Sequence, residues 1–389
     1  MDLSRLPVID NHMHIMTVNN TRRDMNFTIS DYPIDEKHVH SMIAYKMFIS
    51  RISKFFGMEV ASAEEVIKER NRRYDEDPKG YIDAFMKDAN IKALICDLDS
   101  PITAYWKGNY RTDKDAETFI ELMEPEIKIG RIIRIEIVAN LLLKEKLSFE
   151  DFLAKWRANM LAQAEKFDII AVKSVIAYFT GLAVTCPDDS QAKKAYDSFI
   201  SDRNDCASEK TWRDYMLHKG LEFCLEFGYP LQIHTGYGDV PYADLRVVNP
   251  ILLTDLFNEE LSRKVTTVLL HGGYPYCREI GILASQFPQV YLDFSEFTPH
   301  AGYALETALP MIFETAPYTK VLYGTDGGGG PENVWLGVMY TKDVLGRFLD
   351  RLLEKDYITE ADAIDLANAV LWRNATEVYP KLYKDGIPF

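Results

Sequence analysis

Four of the chain's eight histidines stand where short apolar runs end. His12 and His14 close VIDNHMH, His234 closes LQIH and His271 closes VLLH, while Asp326 ends a further run, VLYGTD. A spacing of two along an extended strand turns both side chains to one face, so the His12 and His14 imidazoles can reach the same metal ion. A single strand-end histidine is ordinarily a hydrogen-bonded core or rim residue. Five such positions meeting in one mouth instead offer four neutral nitrogens and a carboxylate around a common point, which is a ligand set. Zinc suits these donors, as one ion or two, and manganese or iron would also accept them. A divalent ion with an open position brings the pKa of bound water towards about 7 and so supplies hydroxide at neutral pH. Asp326, beside that water, can take its proton and hand it to a leaving group. With one ion only, His271 would act as the electrophile or orient the water.

Lys173 interrupts the apolar run DIIAVKS, where an unpaired ammonium would be costly to bury. Three readings stay open: a carbamylated lysine bridging two metal ions, an ammonium pairing with a substrate carboxylate, or a plain salt bridge. Arg246, a dozen residues after His234, could clamp a substrate carboxylate with two parallel hydrogen bonds or form a surface pair with Asp239 or Asp244. Tyr178, Thr180, Tyr237, Tyr274 and Tyr276 follow candidate strands four to six and would wall a substrate site or merely pack. His38, His40, His218 and His300 fall in inserts or loops and are expected to carry no chemistry, although His300 could line the mouth. The glycine run 327–330 is no phosphate-binding loop, because Pro331 stands where lysine and a hydroxyl residue should follow.

Positioning these groups requires a barrel. Eight Val, Ile and Leu-rich runs read as strands buried on both faces: Pro7–Asn11, Ile91–Asp97, Arg131–Val138, Asp168–Ser174, Pro230–Thr235, Val265–Leu270, Gln289–Phe294 and Lys320–Thr325. Helical spacing between them gives an α/β protein, a (β/α)8 TIM barrel in a single domain over 1–389, with its chemistry at the carboxyl ends of the strands. Helical insertions after strands one and four, at about 15–90 and 185–219, account for the length beyond a minimal barrel of about 250 residues. They read as lids or walls of the site or as surface decoration. At 47% hydrophobic and 26% charged the chain can fill a large core, and 44 basic against 59 acidic residues give a net charge of −15 that disfavours nucleic acid. No run approaches the roughly 18 to 20 apolar residues of a membrane span. Five scattered cysteines without a C-x-x-C pair argue against a disulfide framework or a structural zinc site. A cytoplasmic protein is expected, with a small-molecule substrate as partner and homo-oligomerisation left open.

The segments VIDNHMH, VKSVIAYFTGL, LQIHTGYGD with DLRVVNPILL, LLHGGYPYCREIGILASQFPQVYLDFS, KVLYGTDGGGGPENVWLG and LANAVLWRNATEVYPKLY together resemble the metal-dependent amidohydrolase superfamily. Within it they are most similar to the second amidohydrolase group and its nodulin-like domain fused to glutamine-synthetase-like proteins. Met13, where many relatives have a small residue, and the long glycine run depart from the pattern. The resemblance implies a (β/α)8 barrel with one or two divalent ions held by His12, His14, His234, His271 and Asp326, the last handling the proton. A single ion is the form expected in this group. The expected activity is a metal-dependent hydrolase that opens a small amide, ester or ring carbonyl. The alternatives are a metal-dependent non-oxidative decarboxylase and, in another class, a non-catalytic metal-binding regulatory protein.

Overall fold

The apolar runs form eight parallel strands: β1 (Val8–His14), β2 (Ile91–Asp97), β3 (Lys128–Arg134), β4 (Ala171–Ser174), β5 (Leu231–Ile233), β6 (Thr267–Leu269), β7 (Val290–Asp293) and β8 (Val321–Leu322). They lie side by side in sequence order in a computed structural model that describes residues 1–16, 30, 32–58, 61–98, 113–124, 126–328, 330–384 and 386–389. Backbone hydrogen bonds from β1 to the end of β8 complete the barrel: Asn11 N donates to Tyr323 O at 2.8 Å, Asp326 N to His12 O at 2.7 Å and His14 N to Gly327 O at 2.7 Å. The eight-stranded barrel and its helices are those expected of the sequence.

Strand side chains alternate between two apolar clusters, as a period of two demands. Leu94, Cys96, Ile133, Val172 and Leu269 pack with the surrounding helices, whereas Ala93, Ile95, Ile132, Ala171 and Val268 fill the interior. The same inward phase, carried two residues past Ile95, Ile132 and Ala171, brings Asp97, Arg134 and Lys173 to the mouth. Beneath them the C-terminal segment joins the inner cluster through Ala375, Val378 and Tyr379. The Tyr379 hydroxyl donates to Asn11 Oδ1 at 2.6 Å and accepts from Gln232 Nε2 at 2.8 Å.

Strand three departs from expectation. It ends at Arg134 rather than Val138, and Ile135–Leu142 is a helix buried nearly all round. A short apolar segment hidden on every side has no period from which to read its state, so helix and strand look alike in sequence.

Among the described residues the first insertion carries the helices Glu36–Ser41, Ile43–Phe55, Ala63–Glu76 and Pro78–Asp88, and residues 17–29, 31 and 59–60 of it lie outside the described residues. Its Ala63–Glu76 helix is opened by a Ser62–Glu65 capping box. Its Arg70 reaches across to the helix that follows β8: Arg70 Nε donates to Glu332 Oε1 at 2.5 Å, and Tyr81 OH donates to the same oxygen at 2.7 Å. In the second insertion the Asp189–Ser201 helix packs outward on the barrel helices, with Phe199 stacked on Trp212 and Tyr196 bonded to Leu147 O at 3.1 Å. It thickens the outer layer instead of walling the mouth. The Cys206–Phe227 helix runs through residue 219 unbroken, so the expected boundary falls inside the crossover helix leading to β5. The mouth is walled nearby by residues just after β4, where Leu182 N donates to Val247 O at 2.9 Å.

Arg70 and Glu332 are both almost wholly buried, so removing one partner strands a charge. Arg70→Met should therefore lower unfolding stability by about 3–5 kcal/mol, and the double variant Arg70→Met/Glu332→Leu should recover most of the loss. Denaturant titration of both variants tests this, and a single variant with wild-type stability would show the pair to be dispensable.

Candidate metal centre

Every expected donor arrives from the end of a strand, but the donors form overlapping groups rather than one point. His12, His271 and Asp326 each offer a ligand atom within 4.8 Å of the others, and so do His12, His14 and Asp97, and His234, His271 and Glu296. Asp326 Oδ1 lies 3.0 Å from His12 Nε2 and 3.2 Å from His14 Nε2. His271, Glu296 and Asp326 all have positive φ, at 70°, 59° and 55°. Side chains other than glycine rarely adopt that region, and backbone strain of this kind collects where function requires a fixed geometry. Gly238 must be small for a related reason, since a Cβ there would sit 2.8 Å from His234 Nε2.

Hydrogen bonding sets the tautomer of His271. Ser295 Oγ donates to Asp293 Oδ1 at 2.9 Å and lies 2.8 Å from His271 Nδ1, so the serine oxygen accepts the Nδ1 proton. The lone pair is left on Nε2, which is buried and has no hydrogen-bond partner; His234 Nε2 is in the same condition. Buried polar atoms are rarely left unmatched, and a divalent cation is the partner these nitrogens and carboxylates suit. His12 points the same way. Its Nε2 lies 2.8 Å from the Lys173 ammonium and so accepts, yet it also faces the carboxylate Asp326 Oδ1 at 3.0 Å.

Electrostatics favour ligation. Burial brings His12 down to about 4, with Lys173 adding to the shift, and burial also lowers His14, His234 and His271, leaving the neutral imidazoles that bind metals. Burial would raise Asp326, but the adjacent His14, whose Nε2 lies 3.2 Å from Oδ1, outweighs it and holds the carboxyl well below its usual range. Asp97 is likewise held low against burial by Arg134 and Lys173. Burial, reinforced by Asp326, pushes Glu296 well above the ordinary carboxylate range.

Lys173 has partners after all. Its Nζ is 3.4 Å from Asp97 Oδ2, an oxygen that also accepts from Arg134 Nε at 2.7 Å. Tyr178 belongs to the site, its ring 4.3 Å from that of His234. Tyr237 and Tyr274 meet edge to face at the rim, where Tyr274 stacks on Phe297. Tyr276 OH donates to Leu245 O at 2.6 Å and braces the loops. Arg246 is not brought to the mouth. It is 87% exposed and its guanidinium is engaged by Asp244, only two residues away, which is the surface-pair reading of its sequence.

Asp97, Arg134 and Glu296 were not singled out in the sequence. Asp97 ends a strand as visibly as Asp326 does, so the same rule would have found it. Arg134 has no such mark, because the apolar run of strand three continues past it into the buried helix Ile135–Leu142. Glu296 stands three residues past β7, where no spacing signal marks it.

His12→Ala and His14→Ala should each lose most bound metal by elemental analysis, since each removes a donor shared with Asp326. Arg246→Ala should keep full metal content. Undiminished metal in either histidine variant would refute the assignment of these donors.

Residues 177–381, just over half of the chain, match the family described as Amidohydrolase. The fluG protein of Emericella nidulans is 26% identical over 416 residues, which cover 96% of this chain but 45% of that protein, so the chain spans less than half the length of this relative. Among solved structures, one described as a metal-dependent hydrolase from Lactobacillus casei is 25% identical with a TM-score of 0.83 over 99% of both chains. The glucuronate isomerase of Caulobacter crescentus shares the fold, with a TM-score of 0.71 at 15% identity over 99% of this chain and 93% of its own. No helix among the described residues is long and apolar enough to cross a membrane. The match over more than half of its length, on a barrel whose strand ends gather histidines and carboxylates, makes this chain an enzyme of the amidohydrolase family.

Proposed function

We propose that the protein is a metal-dependent hydrolase that cleaves a small amide, ester or ring carbonyl, and that His12, His14, His271 and Asp326 hold its divalent ion. The observation that carries this reading is the convergence of His12, His271 and Asp326, whose ligand atoms lie within 4.8 Å of one another, with the buried His271 Nε2 left without a hydrogen-bond partner. Zinc suits the donor set best. When bound, such an ion supplies Lewis acidity and makes water acidic enough to lose a proton near neutral pH.

The protein's own groups do the rest. Asp326, kept ionised by the adjacent His14, accepts the proton of the attacking water and delivers it to the leaving group. His234 orients the carbonyl of the substrate, and Tyr178, packed against its ring, keeps that imidazole in place. The Ser295–Asp293 pair keeps His271 in the tautomer that presents Nε2. Tyr237 and Tyr274 line the approach for a small molecule, and the expected compartment is the cytoplasm. Arg134 and Lys173 make this side of the mouth cationic, which favours a substrate with a carboxylate or an anionic oxygen.

We further assign Lys173 as an ammonium rather than a carbamate, because its Nζ is engaged by Asp97 and a carbamate there would set two anions side by side. A cation in that place disfavours a second metal ion, so the centre holds one.

Two experiments test these assignments. Turnover of a hit from a metabolite library in 18O-labelled water should place the label in the product, and Asp326→Asn should lower kcat by about 100-fold or more while keeping the fold. Release of carbon dioxide without label would replace hydrolysis by decarboxylation. Lys173→Met should leave metal content at one ion per chain and act mainly on KM. A fall in metal that bicarbonate or a short carboxylic acid restores would establish the carbamate form instead.

A further inference from the structure

A second group of donors lies away from the mouth, on the segment leaving β4 and on the helices around β5. Cys186, His218 and Glu259 each offer one ligand atom, all within 4.8 Å of one another. They are 32 and 41 residues apart in the chain, so no spacing motif announces them. Their placement is built rather than incidental. Thr185, next to Cys186, bonds the Asp214 carboxylate through both its backbone N and its Oγ1, each at 2.8 Å, and Asp214 lies one helical turn before His218.

His218 faces an acceptor at each ring nitrogen. Its Nδ1 is 2.8 Å from Asp214 O, and a carbonyl only accepts, so Nδ1 carries the hydrogen. A neutral imidazole then has a lone pair on Nε2, yet Nε2 lies 2.7 Å from Glu259 Oε2, another acceptor. One additional proton would reconcile them as an ion pair. A cation between the two reconciles them without it, and a backbone carbonyl accepting the far N–H is the usual support of a metal-bound histidine. Cys186 supplies a third and softer donor. Its thiol is hydrogen-bonded to Glu259, which ties all three side chains together.

We propose that Cys186, His218 and Glu259 form a second cation site, separate from the barrel centre, that takes a zinc-like divalent ion and leaves the fourth position to water. Thiolate, imidazole and carboxylate are all zinc donors, and zinc–ligand lengths of about 2.0–2.3 Å need the donors only roughly 3.3–3.7 Å apart. Glu259, partly exposed, has to withdraw from Nε2 by about an ångström to admit the ion, which a change of rotamer provides. The bound ion clips the strand-four segment to the crossover helix and to the turn after the Thr254–Asn258 helix. It stands independently of the hydrolase reading.

Cobalt(II) titration of the purified protein separates the two sites, because the barrel donors are nitrogen and oxygen only and give no thiolate-to-cobalt charge-transfer band. Wild type and Cys206→Ser, which removes the other exposed thiol, should develop that band to saturation with no more than two cobalt ions bound per chain, one of them in the barrel centre, and lose it on addition of zinc. Cys186→Ser should show none. His218→Gln should bind at least as much more weakly as the roughly 10- to 100-fold that disturbing a ligand's support costs. Alkylation of Cys186 by iodoacetamide should slow at least tenfold in the presence of zinc, a readout that needs no variant. A wild-type protein without the band, a band that survives Cys186→Ser, or alkylation indifferent to zinc would each overturn the site and leave a His218–Glu259 ion pair.

Discussion

The hydrogen bonds that join the last strand to the first fix where chemistry can occur. One carbonyl, that of His12, accepts from both Thr325 N and Asp326 N. The residue that carries the first imidazole is thus tied through its backbone to the carboxylate its side chain meets. Asp10 braces the same seam by accepting from Thr325 N, Thr325 Oγ1 and His12 N, and burial pushes its carboxyl up to about 8. Three backbone donors and a hydroxyl therefore converge on the closure, and buried polar groups of this kind are expensive to leave unmade. Slippage of the seam by one residue would turn His12 and His14 to the outside.

The mouth concentrates charge that a barrel interior would otherwise avoid. Asp97, Arg134 and Lys173 are nearly fully buried and lie within one another's reach. Isolated, each would be costly; Asp97 offsets part of the charge of Arg134 and Lys173, and a net positive charge remains. Apolar side chains would fill the same volume without loss of stability, so the network belongs to the chemistry of the mouth rather than to the support of the fold. Its cationic side faces the ligand set, while the Asp293–Ser295–His271 chain on the opposite side sets the orientation of an imidazole.

The loops around the mouth are bound to each other as well as to the barrel. The first insertion is fastened to the segment after β8 by Arg70, Tyr81 and Glu332. The segment after β4 is fastened to that after β5 through Leu182 and Val247, and the loop after β5 to that after β6 through Leu245 and Tyr276. Loops held at several points keep the strand-end donors in register, which loops attached only at their ends would not.

Much of this was legible from residue order alone. Eight apolar runs with polar ends set the barrel, because a strand buried on both faces must be apolar along its length until it leaves the core. His12, His14, His234, His271 and Asp326 were legible because in a barrel the strand end is the site, so local position translates directly into place. Sequence could not place Arg246, whose two futures, substrate clamp and surface pair, differ only in where a loop folds. It could not end β3 at Arg134, because the all-round burial of Ile135–Leu142 comes from neighbours remote in the chain. Nor could it assemble Glu296 with His234, or Cys186 with His218 and Glu259. Periodicity and strand ends are local properties carried by the order of residues. Which side chains share a few ångströms across the barrel depends on closure and helix packing, and these exist only once the whole chain has folded.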